Sequence, residues 1–214
     1  VHGGPEGATR PLEGFKLRFD LEKLMWEMNF TIEHFYELHL KRRISSEHRE
    51  ILIQQLTEIC TRLAAEPTVL THRDFHSRNV MCKNDEYVMI DFQDALMAPA
   101  LYDVASLLTD RITPERIGPP MEDALVRRFH EAQSAGKLQS LDETRAAYRL
   151  VALQRVLKVV GRFHYLNEVK GKPHYLGMLP AVCRTARRLL AESDGVAATA
   201  ELFEVAGRDP SREA

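Results

Sequence analysis

From Phe19 onward, Leu21, Leu24, Met25, Met28, Ile32, Phe35 and Leu38 recur at helical spacing, which predicts one long amphipathic helix over residues 18–40. Ser45 or Ser46 then offers an N-cap for a second helix, running through Ile51, Leu52, Leu56, Ile59 and Leu63 to about Ala65 and ended by Pro67. The period then shortens. Apolar runs at Thr68–Leu70, Val80–Cys82 and Tyr87–Ile90 are separated by polar stretches and read as strands, the last two joined by a tight hairpin at Asn84-Asp85. Helical spacing resumes beyond them. Pro114 behind Thr113 marks a helix start, and Gly136 is a stop for a helix over 121–135. Ser140 with Glu143 is a capping-box pattern that opens a helix through Leu150, Leu153, Leu157 and Val160, and one or two last helices cover about 180–206. The expected class is α+β but mainly α: a helical body carrying one small β element.

Composition narrows this picture. Residues 1–16 hold four glycines and two prolines and read as a hinge or linker, 17–206 as a single lobe, and 207–214 as a disordered tail. At 214 residues, with 44% hydrophobic and 28% charged positions, the chain can bury a core as one domain. A net charge of −2 gives no basic field, so nucleic acid is not an expected partner. Cys60, Cys82 and Cys183 lie far apart without a CxxC spacing, which suits a reducing compartment rather than a disulfide framework. No apolar stretch approaches a membrane span and no signal pattern opens the chain, so the expectation is a cytoplasmic protein without a membrane partner.

The densest polar stretch is Thr71-His72-Arg73-Asp74-Phe75-His76-Ser77-Arg78-Asn79, directly after an apolar run. It fits H-R-D-x-x-x-x-N, the catalytic-loop pattern of kinase-type phosphotransferases. An aspartate there reaches an acceptor hydroxyl, while an asparagine five residues on turns back towards magnesium. Asp91 follows twelve positions after Asn79, and a hairpin of that length returns the chain beside its start, so Asp91 can be the second metal ligand. Hard oxygen donors suit Mg2+ on nucleotide phosphates. A competing reading has His72, Asp74 and His76 converge on a transition metal, but it leaves Asn79 and Asp91 idle. His76 and Arg78 are expected to shape the loop by hydrogen bonding.

"HRDFHSRN" with "IDFQDA" and "YDVASLL" resembles the aminoglycoside-phosphotransferase superfamily of small-molecule kinases. Within it, the loop and the stretch "LQRVLKVVGRFHYLNEVKGKPHYLGMLP" (153–180) look most like the bacterial anomeric kinases of cell-wall recycling, which act on N-acetylmuramate and N-acetylglucosamine. Those kinases carry HRD loops where many antibiotic kinases have HGD. The likeness covers roughly 17–190, with a departure at "LEKLMWEMNF", where the family usually has a more acidic and aromatic run. It implies a protein-kinase-like fold, ATP as donor with Mg2+, and a small sugar as acceptor. Asp74 would be the base, and Asn79 and Asp91 the metal ligands. No GxGxxG loop and no V-A-I-K strand occurs in these residues, so by resemblance the chain reads as the helical C-terminal lobe without the N-terminal nucleotide lobe.

Further candidates come from position. Asp103 opens a predicted helix, where a carboxylate can satisfy free backbone N–H groups and support the loop. Gln93 and Asp94, just past the metal aspartate, can face substrate. Arg155 and Lys158 share one face of an apolar helix, either as an exposed stripe or as a grip on an anionic sugar. Trp26 is expected in the core. The alternatives to an amino-sugar kinase are an aminoglycoside- or choline-type kinase, a non-catalytic binding fragment, and a metal-dependent hydrolase.

Overall fold

The structure, a computed structural model, describes residues 16–39, 44–133, 140–193, 196 and 199. Helix α1 (Leu21–Thr31) begins later than its apolar period predicts, because Asp20 caps it: the carboxylate accepts the Lys23 N–H at 2.8 Å. The residues just ahead are extended instead. The Phe19 N–H donates to the Met97 carbonyl, and the Met97 N–H donates to the Leu17 carbonyl, both at 2.9 Å. Beyond Thr31 the chain continues as a π-helix over Ile32–His39, so the expected single helix is two pieces. Helix α2 (Ser46–Ala64) is capped by Ser45 as its sequence indicates.

Strands β1 (Thr68–Thr71), β2 (Val80–Lys83), β3 (Glu86–Met89) and β4 (Leu96–Pro99) form two antiparallel pairs, β1 with β4 and β2 with β3. Asn84 and Asp85 both take positive φ (53° and 61°), as a two-residue hairpin with the sheet's right-handed twist requires. The fourth strand is not among the sequence expectations. It is short and ends in a proline, and it becomes a strand by pairing Leu96 opposite Thr71 and Pro99 opposite Thr68. The Thr71 hydroxyl fixes the far end by donating to the Leu96 carbonyl (2.9 Å).

Helix α3 (Leu101–Leu108) follows at once. Helix α4 (Thr113–Gln133) is broken at Gly118, whose φ of 66° interrupts it before Pro119 and Pro120 restart it. Helix α5 (Leu141–Glu168) opens on the expected capping box. The Ser140 hydroxyl accepts the Glu143 N–H (3.2 Å), and the Glu143 carboxylate accepts the Ser140 N–H (2.7 Å). A 3-10 turn (Pro173–Met178) leads into α6 (Leu179–Ala191). The expected linker up to residue 15, the Gly136 stop and the tail 207–214 lie outside the described residues. The outcome is a mainly helical α+β fold.

Helix α5 is the axis of the body and packs against α1, α2, α3, α4 and α6. Leu153, Val156, Leu157 and Val160 are buried on it together with the polar Gln154 and Arg155. It approaches α1 very closely at one point: a Cβ built on Gly161 would stand 2.6 Å from Thr31 Cα. The Thr31 hydroxyl donates across the same contact to the Leu157 carbonyl (3.1 Å). This approach brings Glu27, one turn earlier on α1, into the interior. Among the described residues no helix is long and apolar enough to cross a membrane.

Because the Thr31 Cα faces Gly161 as closely as the Thr31 hydroxyl does, a side-chain rotation cannot relieve the clash and Gly161→Ala forces α1 and α5 apart. Its expected cost is about 1–3 kcal/mol of folding free energy, read as a lower urea midpoint with an unchanged slope.

Candidate active site

The loop between β1 and β2 is held from three sides. Asp103, on the first turn of α3, accepts the His72 N–H with one carboxylate oxygen (2.8 Å) and the Arg73 N–H with the other (2.9 Å). The Ser106 hydroxyl donates to the Arg73 carbonyl (3.3 Å). His72 Nε2 lies 2.8 Å from the Ile90 carbonyl, which can only accept, so Nε2 carries the proton. Asp103 thus ties the loop to a helix instead of capping its own. Burial pushes its carboxyl above the ordinary value, although the two N–H donors pull the other way.

Arg73 takes a φ of 73°, in the left-handed region that favours glycine. Its side chain offsets that strain. The guanidinium donates to Glu27 (3.1 Å) and lies 5.5 Å from the centroid of the Phe19 ring. Glu27 is 2% exposed and accepts two further groups: Gln154 Nε2 (3.0 Å) by hydrogen bond, and the Lys158 ammonium (3.4 Å) as an ion pair. Lys158 also donates to the Tyr102 hydroxyl (3.2 Å). Burial alone would lower both cations' pKa values. Glu27 reverses this for Arg73 and Tyr102 together with Glu27 for Lys158, so both are held above their ordinary values.

Past Asp74 the loop tightens into a 3-10 turn (Ser77–Asn79). The Asn79 side-chain N–H group donates to the Asp74 carbonyl (3.0 Å) and reaches the Asp91 carboxylate (3.5 Å). The hairpin therefore brings Asp91 back beside Asn79. Asp91, exposed and with φ 69°, is like Arg73 a non-glycine residue in the left-handed region. With the amide nitrogen committed to Asp74 and Asp91, Asn79 Oδ1 remains as a donor to a metal. One amide oxygen and one exposed carboxylate fit a hard divalent cation that takes its other oxygens from phosphates and water. Among the described residues no group of three His, Cys, Asp or Glu side chains is placed to hold a metal, so the His72–Asp74–His76 alternative has no geometric support.

A cavity of about 400 Å³ is lined by Asp74 together with residues of α1, of α5 and of the segment that follows α3. Arg155 and Lys158 both line it. The exposed-stripe alternative for this pair is corrected: Arg155 is 5% exposed and donates to the Thr109 hydroxyl (3.2 Å), and Lys158 is turned inward to Glu27. Trp26 is also corrected. It is 54% exposed at the cavity wall, with the Lys23 ammonium 4.7 Å from its ring centroid. Gln93 and Asp94 are both exposed, on the turn closed by the Ala95 N–H on the Phe92 carbonyl (3.1 Å), and of the two Asp94 lines the cavity while Gln93 does not. Asn79 and Asp91 stand outside the lining, Arg78 is exposed, and His76 lines the wall. Burial pushes the His76 imidazolium below its ordinary pKa despite Asp110 and Asp74 nearby.

The lining residues that the sequence reading did not single out include Glu27, Asp110 and Arg111. Glu27 had a signal. It falls between Leu24 and Met28 on the buried face of α1, where a carboxylate is costly without partners. Asp110 and Arg111 had none, since they follow α3 like any polar helix exit.

Two measurements check the Asp103 anchor. Asp103→Ala leaves two part-buried N–H groups unpaired and is expected to cost about 2–4 kcal/mol near neutral pH. A raised folded pKa favours the folded state below the unfolded carboxyl's value, and that contribution is lost as pH rises through the folded pKa. Asp103→Asn removes this titration. Stability against pH across the mildly acid range is therefore expected to fall less steeply with rising pH in the variant than in the unaltered chain.

Residues 14–149 match the phosphotransferase enzyme family (APH). The chain is 32% identical over 179 residues to the N-acetylmuramate/N-acetylglucosamine kinase of Neisseria meningitidis serogroup B, covering 83% of this chain and 53% of that one. It is also 32% identical over 180 residues to the protein of the same name from Pseudomonas aeruginosa, covering 80% and 52%. The chain thus spans about half the length of these curated relatives. Among solved structures, an amicoumacin kinase in complex with AMP-PNP, Ca2+ and Ami is similar at 16% identity and a TM-score of 0.49, over 86% of this chain and 64% of that one. The family match takes in more than half of the sequence, including the whole loop from His72 to Asn79 and Asp91 after it: the chain belongs to the phosphotransferase enzyme family.

Proposed function

We propose that this chain carries the acceptor-binding and metal-binding part of an ATP-dependent phosphotransferase whose acceptor is a hydroxyl of an amino sugar. One observation carries the reading: the Asn79 amide joins the Asp74 carbonyl to the Asp91 carboxylate, while Asp74 also lines a polar cavity. Asp74 then stands between two compartments, with the acceptor in the cavity and the nucleotide phosphates beside Asn79 and Asp91. Asp74 orients the acceptor hydroxyl and takes its proton as that oxygen bonds to the γ-phosphorus of ATP. The bond from this phosphorus to the bridging oxygen breaks, with ADP as the leaving group. Asn79 and Asp91 would hold Mg2+, which would neutralise the phosphate charge.

The cavity's charge favours some acceptors over others. Lys23, Arg73, Arg111, Arg155, Lys158 and Arg162 line it against Glu27, Asp74, Asp94 and Asp110. An excess of positive charge disfavours a cationic aminoglycoside or choline and suits a neutral or anionic sugar. The names of the relatives, N-acetylmuramate/N-acetylglucosamine kinase, agree with that, and the resemblance implies the anomeric hydroxyl as acceptor. Among the described residues Arg155 has a hydroxyl but no carboxylate partner, so a buried guanidinium is left for an anionic group such as the carboxylate of N-acetylmuramate. Lys158 is already held by Glu27, which assigns the grip to Arg155 and leaves Lys158 to shape the wall.

In the full-length protein, Asp74→Asn is expected to lower kcat by about 10²- to 10⁴-fold with nucleotide affinity nearly unchanged. Near-normal turnover would reduce Asp74 to a structural role. With N-acetylmuramate, N-acetylglucosamine, an aminoglycoside and choline offered as acceptors, the sugars should be phosphorylated. Arg155→Gln should raise KM for N-acetylmuramate roughly tenfold more than for N-acetylglucosamine. Transfer to the aminoglycoside or choline but to neither sugar would overturn the assignment.

A further inference from the structure

We infer that His76, Asp110 and Arg111 form a hydroxyl-reading subsite that fixes how a polyhydroxylated ring lies against Asp74. The inference rests on the acceptor reading above and names residues which that reading does not use.

Buried polar atoms in folded proteins are almost always hydrogen-bonded, so those without a partner inside the protein point to something outside it. Three of them share this one cavity: His76 Nδ1, Asp110 Oδ2 and Arg111 Nε. Asp110 is 6% exposed. Its backbone carbonyl accepts the Thr113 N–H (3.1 Å), but its Oδ1 lies 3.7 Å from Arg111 Nε, an ion pair too long for a hydrogen bond. Among the described residues the Arg111 guanidinium otherwise donates to the Met178 sulfur (3.3 Å), a weak acceptor. An inward-facing carboxylate, a guanidinium N–H and a neutral imidazole are therefore all unspent on one wall.

That combination selects the ligand chemistry. A hydroxyl donates one hydrogen bond and accepts others, so neighbouring ring hydroxyls can donate to Asp110 and accept from Arg111 at once. A metal cation is disfavoured with Arg111 and Arg155 beside the site, and a carboxylate would be repelled by Asp110. An acidic substituent of the ring would turn towards Arg155 instead. His76 lies two residues beyond Asp74, so hydroxyls held here stand next to the one presented for transfer. A ring whose hydroxyls pair with these atoms removes the cost of leaving buried polar groups without partners.

Trp26 is the only tryptophan of the chain and lines the same cavity, so its emission reports occupancy without any need for turnover. The test titrates the 214-residue chain with N-acetylglucosamine and with its 3-, 4- and 6-deoxy analogues. Asp110→Asn and His76→Gln are titrated in parallel, after their circular dichroism and melting have been matched to the unaltered chain. At least one deoxy sugar is expected to bind ~10- to 100-fold more weakly than the parent, as loss of a hydrogen bond to a charged group implies. In Asp110→Asn that analogue and the parent should bind within about threefold of each other, the penalty having vanished. Equal binding of every analogue to the unaltered chain, or a penalty that persists in both variants, overturns the subsite. Failure of the parent sugar to bind a folded chain also overturns it, whereas the phosphotransfer reading stands or falls separately on the turnover of Asp74→Asn.

Discussion

A single buried carboxylate, Glu27, holds the site to its scaffold. It sits on α1, receives Arg73 from the loop, and receives Gln154 and Lys158 from α5. A charge this deep in the interior is tolerated only with several well-placed donors, and removing one partner of such a set costs far more than a surface ion pair does. The arrangement is therefore mutually dependent. Gly161 lets α1 close on α5, the closure buries Glu27, and Glu27 holds Arg73 in a backbone conformation that would otherwise favour glycine. Asp74 is the next residue, so its place in the cavity is inherited from Glu27.

Asp103 makes the complementary anchor from the other side. It accepts two consecutive backbone N–H groups of the loop, which a helical or strand continuation would have used within its own ladder. Together the two carboxylates fix the loop's start, and the hairpin fixes its end. The strained residues Arg73 and Asp91 lie on either side of Asn79 in the chain, as expected where surrounding structure over-determines a functional turn. The same economy explains the cations. Lys158 and Arg73 are occupied by Glu27, while Arg155 meets only a threonine hydroxyl among the described residues.

Much of this was legible locally. Ser45, Ser140 with Glu143, and Asn84-Asp85 each specify their element by short-range hydrogen bonding or by φ preference, and each forms where its residues indicate. The return of Asp91 beside Asn79 follows from the spacing of the hairpin, whereas Asp74 lines a cavity that the other two residues do not. What escaped depends on distant partners. Strand β4 exists because β1 pairs with it, and the stretch before α1 is extended because Met97 bonds it. Trp26 is expected in the core, yet it stands at the cavity wall because Leu24 and Met28 take the buried face of α1. Gln93 and Asp94 differ in a turn that no periodicity encodes. Asp110 and Arg111 acquire meaning only from the unpaired atoms of the folded wall.

The account centres on Glu27 as the pin of the loop, and amide hydrogen exchange across residues 72–79 tests it most directly. In Glu27→Gln, the loses of charge pairing should release Arg73, and exchange at His72, Arg73 and Asn79 should accelerate at least ~10-fold, the equivalent of about 1.4 kcal/mol of local protection. The β2–β3 hairpin amides should stay unchanged. Loop exchange indistinguishable from that of the unaltered chain would contradict the claim and leave Asp103 alone as the anchor.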